Sequence, residues 1–492
     1  MEKMEAELLV VASGPAGLAA AVTAGEQGKD VLVFEKAETT GGVFNMAMGP
    51  FGVESRVQKR VNYPLTKKQA FEKYMEYTHW QVDARLVKAY VDKSGDTIDW
   101  LEDMGVEWYG AMRHFSASEM TWHCPKVPGT NTYGRCTGAV ICKALKDRAD
   151  ELGVRFKLET RVTSLIKEDD AIVGVHAVTA DGKEIEARGS AVVIATGGFN
   201  KNPEMYKEYF SDYMGYELDK NVFSFPFPGP NGDGIRMARE VGAAEDNVNI
   251  EMYYTSSRGE EFLPLDIAFR QPNMLLNIEG KRFYNEGGIG NTTFTGNALY
   301  RQTGHVGYMF FDDATMRHYR KNGPDQTCPD HPITDMDQFD DEYKRYLDEV
   351  GGDDFIIADT LDEIAERIGM DPEALAEEVE YYNYLCDTYD KEFYKEPKYM
   401  RPIRKAPFYM GKLVCSAFST LGGIKINEFA EVLDKKNHPI PGLYAAGNDA
   451  NSLSNASYCF ILPGNTSGFA LNTGRIAGES ACEYIDYLKG EG

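Results

Sequence analysis

A short apolar run, Leu8-Leu9-Val10-Val11, gives way to Ala12-Ser13-Gly14-Pro15-Ala16-Gly17 and then to a helix-favouring stretch, Leu18 to about Glu26. A second apolar run, Val31-Leu32-Val33-Phe34, ends at Glu35, 18 positions beyond Gly17. Residues of these types, in this order, can hold a dinucleotide. Small residues let the backbone approach a pyrophosphate, the helix N-terminus favours its negative charge, and the carboxylate accepts a ribose hydroxyl. Ala12 stands where the usual G-x-G-x-x-G has its first glycine. After Glu35-Lys36 come Thr40-Gly41-Gly42 and Met46-Ala47-Met48-Gly49, a second glycine-rich loop that can lie against the same ligand. Positioning these groups requires strand, tight turn, helix and strand in succession, which is an α/β arrangement.

Further segments extend the pattern along the chain. Ala195-Thr196-Gly197-Gly198 ends an apolar strand that begins near Ala191, and Asn231-Gly232-Asp233-Gly234 opens a helix. Gly280-Lys281-Arg282-Phe283, with Asn285-Glu286, follows a strand. Pro441-Gly442-Leu443-Tyr444-Ala445-Ala446-Gly447 precedes Gly474-Arg475-Ile476-Ala477-Gly478-Glu479. Together and in this order, the segments resemble the flavoproteins grouped with fumarate reductase, succinate dehydrogenase, urocanate reductase and 3-ketosteroid Δ1-dehydrogenase.

The resemblance implies an α/β fold. Its Rossmann-like FAD-binding domain, of the glutathione-reductase type, would come in two pieces, 1–250 and 412–492, with an α+β capping domain inserted at 251–411. It also implies that FAD is held by Ser13, Gly14, Ala16, Gly17, Glu35, Lys36, Gly41, Gly42, Val162, Ala195, Thr196, Gly197, Asp449, Gly464, Thr466 and Ser467. Val162 belongs here because Glu159-Thr160-Arg161-Val162 resembles the edge strand that touches adenine. Members of this group can carry flavin covalently on a histidine after the second glycine loop. Gly41 to Ser55 contains none, so non-covalent FAD is expected.

Reduction of a polarised C=C bond needs hydride at one carbon, a proton at its neighbour, and a donor that stabilises the developing negative charge. The fumarate-type members supply the last two with arginines and histidines. This sequence departs from them at three points. Gly290, flanked by Asn291 and Thr292, stands where the proton-donating arginine belongs. Phe418-Ser419-Thr420-Leu421-Gly422-Gly423 lacks the family's histidine, and Ile461 or Leu462 replaces the arginine that clamps a carboxylate.

The segment Ser457-Tyr458-Cys459-Phe460-Ile461-Leu462-Pro463-Gly464 resembles the ketosteroid dehydrogenase version with two extra residues. There a tyrosine hydroxyl and a glycine N–H bind a ketone oxygen, which nominates Tyr458 and Gly464, with Phe460 and Asn291 as neighbours of the substrate. Tyr253 and Tyr254 fall where the family begins its substrate-contacting clamp, although alternating aromatics also suit a core. Arg270 and Arg301 could position a polar substituent or lie on solvated surface. His123 titrates near neutrality and suits acid–base work, or a buried structural place. Arg135 lies in a nearby glycine-containing loop.

The whole chain bounds these expectations. Its 492 residues suggest two or three domains, and 43% hydrophobic content provides for cores and a ligand cavity. A formal charge of -25 would repel nucleic acid and anionic lipid. The first residues show no basic segment followed by an apolar stretch of signal length, and no run approaches a membrane span, so the cytoplasm is expected. The eight cysteines (124, 136, 142, 328, 386, 415, 459 and 482) contain no Cys-x-x-Cys pair, which disfavours disulfides and a metal site. Residues 151–190 alternate as an antiparallel excursion would, while Leu361 to Ile368 and Pro372 to Cys386 read as helices.

The expectation is an FAD-dependent ene-reductase or dehydrogenase that moves a hydride between flavin and a carbon of a hydrophobic cyclic ketone or phenolic compound, steroid- or isoflavonoid-like. The alternatives are reduction of a small unsaturated acid using Arg135, Arg270 or Arg301, and a flavin-bearing electron-transfer subunit. No second dinucleotide fingerprint and no haem motif occur, which leaves a separate electron donor, free reduced flavin and the substrate couple itself as sources of reducing power.

Overall fold

The computed structural model describes residues 1–210, 222–224, 229–258, 261–327, 336–455 and 457–490. Cys328 lies outside them, and the other seven cysteines are free thiols. The apolar runs read from the sequence form the centre of a six-stranded sheet. Leu8–Val11 pairs in parallel with Val31–Phe34 on one side and Ala191–Ile194 on the other. Arg155–Lys157 and Pro439–Ala445 extend the parallel ladder outward, and Glu431–Leu433 closes one edge antiparallel. All residues of the three central strands are buried, as expected of strands covered on both faces.

The helix Pro15–Glu26 follows the first strand directly. Its neighbour is the long helix Asn465–Lys489, and Gly474 and Gly478 make the close approach possible. A Cβ on Gly474 would lie 2.3 Å from Ala16 O, and one on Gly478 2.8 Å from Ala20 O. Chain ends far apart in sequence are therefore bound together by small residues on two helices.

The alternating stretch 151–190 contains the strands Thr160–Glu168, Ala171–Thr179 and Glu184–Arg188. They pair antiparallel, and Glu2–Glu5 adds to their edge. A third, seven-stranded sheet is organised by one strand, Phe408–Ile424. Glu245–Ser256, Val306–Asp312, Phe355–Ala358 and Ala450–Asn451 all pair antiparallel with it. The expected breaks at 250/251 and 411/412 fall inside Glu245–Ser256 and Phe408–Ile424, two strands that pair with each other. A boundary at those positions would cut a continuous ladder, so neither break coincides with a loop. Leu361–Ile368 and Pro372–Asp387 are the helices that cover a separate apolar cluster of Met274, Leu276, Phe310, Ile356 and Met410.

Candidate active site

A cavity of about 530 Å³ runs from the turn after the first strand to the start of the helix Asn465–Lys489. One end is walled largely by backbone. Gly14 is the N-cap of the helix Pro15–Glu26, and a Cβ placed there would meet nothing within 4 Å. Its bare face and the first N–H groups of the helix thus open into the cavity, the arrangement an anionic pyrophosphate needs. Gly17 does a different job. A Cβ there would lie 2.0 Å from Ala12 O, so this glycine packs the helix against the strand end and does not line the cavity.

Glu35 reaches the same end. Its carboxylate accepts from Ser13 N and Ser13 Oγ, both at 2.8 Å, and from Ala37 N at 2.9 Å, which fixes its orientation on the wall. Ser13 is fully buried behind it. Lys36 donates to Gly229 O at 2.7 Å and Asp233 at 3.2 Å, and Arg161 donates to Asp233 at 2.6 Å. Burial raises the Asp233 pKa, but Arg161 and Lys36 outweigh it and hold the carboxyl below its ordinary value.

The turn after Ala191–Ile194 is gripped from behind by Asp449. Its fully buried carboxylate accepts from the Thr196 amide, from Thr196 Oγ1 at 2.9 Å and from the Gly197 and Gly198 amides at 3.1 Å. Burial still pushes its pKa up, against those donors. Asp449 holds the wall without belonging to it, as does Gly41. Gly14, Ala16, Glu35, Lys36, Gly42, Val162, Ala195, Thr196, Gly197, Gly464, Thr466 and Ser467 do line the cavity. The open glycine turn, the helix N-terminus and the fixed carboxylate fit a dinucleotide such as FAD, and these are the residues that could hold it. Among the described residues, no group of three His, Cys, Asp or Glu could hold a metal ion.

The other end is built from rings. His114 lies 4.7 Å from Phe460 and 5.6 Å from Trp122, centroid to centroid, and Tyr458 lies 4.7 Å from Phe460. Tyr253 and Phe418 meet edge-on at 6.0 Å. All six line the cavity, with Arg135, Arg270, Glu251 and Thr292 among them. His114 was not singled out by sequence. It carries no motif, and it sits just beyond the strand Trp108–Met112, whose pairing with Trp122–Pro125 brings it beside Trp122.

Tyr458 accepts from Thr466 N at 3.0 Å, at the first turn of the terminal helix, and burial pushes its phenol far above the ordinary value. The Thr466 hydroxyl donates at 3.0 Å to Glu251 Oε2. Burial raises the Glu251 carboxyl to about 8, with only the Thr466 bond opposing. Neighbouring positions on one strand divide as the two-residue period requires. Glu251 and Tyr253 face the cavity, while Tyr254 points away and bonds Ile289 O at 3.3 Å.

Several nominated residues lie elsewhere. His123 is fully buried, its Nδ1 donating to Thr121 O at 3.0 Å and its Nε2 accepting from Ser55 Oγ at 2.7 Å. That pairing suits the neutral ring, and burial lowers its pKa to about 4. Asn291 caps the helix Thr292–Tyr300 through Phe294 N and donates to Tyr77. Arg270 lines the cavity but donates to Asp266 at 3.0 Å and lies 4.9 Å over the Tyr254 ring. Arg301 is exposed and is not among the lining residues.

Residues 7–464 match the FAD binding domain family. The chain is 31% identical to the vinyl phenol reductase of Lactiplantibacillus plantarum, over 97% of this chain and 96% of that one. It is 28% identical to the cytochrome fumarate reductase of Shewanella frigidimarina, over 97% of this chain and 77% of that one. The solved structure of 3-ketosteroid-Δ4-(5α)-dehydrogenase from Rhodococcus jostii RHA1 shares the fold, with a TM-score of 0.77 at 23% identity over 98% of each chain. No helix of the described residues is long and apolar enough to cross a membrane. Family and fold agree: the chain belongs to the FAD binding domain family and is an FAD-dependent oxidoreductase.

Proposed function

We propose that this protein is an ene-reductase that saturates the C=C bond of a hydrophobic, ring-bearing substrate, of which a vinyl phenol is the simplest example. The observation that carries this reading is the ring lining of the cavity, with His114, Trp122, Phe460 and Tyr458 in one cluster and Tyr253 against Phe418 in a second. Aromatic walls favour a flat apolar ligand, each ring pair contributing about 0.5–1.5 kcal/mol beyond simple burial. Similarity to a vinyl phenol reductase over almost the full length of both chains supports it.

The charged groups support it as well. A dicarboxylate substrate needs paired cations, yet Arg270 is already neutralised by Asp266. Position 290 is glycine and supplies no cation. A Cβ there would come within 2.8 Å of Gln326 Oε1 and Phe115 Cβ. Non-covalent FAD would rest on Gly14, Ala16, Glu35, Thr196 and Gly464, and when reduced it supplies the hydride. The protein's part is to seat the ring, exclude water and manage one proton. Tyr458 and the Gly464 N–H would hold the substrate oxygen; a conjugated ketone oxygen draws charge from the alkene, whereas a phenolic oxygen feeds charge into it and favours protonation of the alkene carbon. Arg135, exposed on the cavity wall, would meet a polar substituent.

Anaerobic, FAD-loaded protein, reduced chemically and mixed with a panel, tests the reading. Vinyl phenols, isoflavonoid derivatives and enone steroids should include a fast oxidant, with fumarate and urocanate at least ~100-fold slower. Preferential oxidation by fumarate would mean that Arg135 and Arg270 build a carboxylate site, and the reading would be wrong.

A further inference from the structure

We propose that Glu251 is the proton source for the reduction, a catalytic acid on the cavity wall linked through Thr466 to Tyr458. The inference rests on the ene-reductase reading and adds the acid that this reading leaves unnamed. Three residues from separate parts of the chain meet here. Glu251 comes from the strand Glu245–Ser256, Thr466 from the first turn of the helix Asn465–Lys489, and Tyr458 from the loop before that helix. The Thr466 hydroxyl donates to Glu251 Oε2 at 3.0 Å and its amide donates to Tyr458 Oη at 3.0 Å, and all three side chains line the cavity.

A carboxyl 3% exposed that accepts from a neutral donor, the Thr466 hydroxyl, is poorly solvated as an anion. Facing it are the Thr466 hydroxyl, the Tyr458 phenol and, from its own strand, Tyr253. His114, Arg135 and Arg270 line the same cavity from other segments. Burial raises it to about 8 against the Thr466 hydrogen bond, so at neutral pH it carries a proton. A group of that acidity is matched to proton transfer near neutrality, whereas the Tyr458 phenol is pushed far too high to give up its proton unaided.

The step balances. The proton from Glu251 would form one C–H bond, and the hydride that bound, reduced FAD would supply would form the other. The π bond is lost, the flavin is oxidised, and the Glu251 carboxylate is reprotonated from water. Tyr458 stays protonated and holds the substrate oxygen.

Two measurements test this, one of them independent of turnover. The infrared spectrum of FAD-loaded wild-type protein, differenced between about pH 6 and about pH 10, should lose one protonated-carboxyl band with a midpoint near 8. That band should be missing from Glu251→Gln. In single-turnover oxidation by a ring-bearing alkene, the wild-type rate should fall about tenfold per pH unit above that midpoint. Glu251→Gln, with FAD content retained, should be at least ~100-fold slower and flat with pH. A wild-type rate that stays level through the midpoint, a spectrum without the band, or a Glu251→Gln protein as fast as wild type would each overturn the proposal. If Glu251→Gln loses FAD, the wild-type profile and Glu251→Asp decide the matter. A panel in which no ring-bearing alkene oxidises the flavin would instead end the functional reading and leave the infrared result standing.

Discussion

The two ends of the cavity are made differently. At one end the wall is backbone and one fixed carboxylate, Glu35: the Gly14 turn, the Ala195-Thr196-Gly197 turn and a helix N-terminus, locked from behind by Ser13 and Asp449. At the other it is side chains, with six rings drawn from five segments of the chain: 114, 122, 253, 418 and 458–460. A backbone wall suits a ligand that never changes, because its shape is set by φ, ψ and hydrogen bonds. A wall of rings can be redrawn one side chain at a time. Cofactor binding and substrate choice are therefore separable here, and substitutions should divide along that line.

The largest effect should come from the backbone end. Asp449→Ala would leave the Thr196, Gly197 and Gly198 amides without their buried acceptor. A stability loss of about 3–5 kcal/mol is expected, read by urea unfolding of the apo-protein. An Asp449→Ala protein as stable as wild type would show that this wall holds itself up.

Behind the ring end, His123 should make the protein acid-sensitive. The unfolded chain takes up a proton on this residue near 6.5, but the folded protein does so only near 4. The unfolded state therefore binds more protons between those values. Stability present above the upper value is lost as pH falls through the lower one, by on the order of 3 kcal/mol. Urea midpoints measured at about pH 7 and about pH 4.5 should differ in that direction. The difference should shrink in His123→Asn.

Gly14→Val sharpens the comparison, since its side chain would enter open cavity and meet no protein atom at Cβ. The apo-protein should lose only about 1 kcal/mol from the poorer N-cap, while FAD affinity falls on the order of 100-fold, about 2.8 kcal/mol, by fluorescence titration. Phe460→Ala, at the ring end, should leave FAD affinity alone and raise KM for a ring-bearing substrate by roughly 5–30-fold, about 1–2 kcal/mol. Loss of FAD in Phe460→Ala would break the division between the two ends.

The same contrast explains what could be read from sequence. Leu8–Val11, Val31–Phe34 and Ala191–Ile194 were legible because a strand covered on both faces must be apolar throughout. The glycine turns were legible because only small residues permit such close approaches. That signal does not distinguish an approach to a ligand from an approach to protein. Gly14 opens to the cavity, while Gly17 and Gly41 pack against Ala12 and Asn45, although all three look alike in the sequence.

The ring end was harder. A two-residue period says that only one of Tyr253 and Tyr254 faces the cavity, but not which. Of two histidines at one hairpin, His123 sits within the second strand, buried in hydrogen bonds, while His114 lies just beyond the first. His114 has no local signal at all, because its neighbours Phe460 and Trp122 meet it only in the fold. Glu251 stood inside a string of apolar and aromatic residues, and its value lies in its burial, which sequence does not display.

The most direct test of one cavity with two differently built ends is a crystal structure of FAD-loaded protein soaked with a vinyl phenol. FAD should lie along Gly14, Glu35, Thr196 and Gly464, with the phenol ring among His114, Trp122, Tyr253 and Phe460. FAD lying against the rings, or the phenol bound outside the cavity, would contradict it.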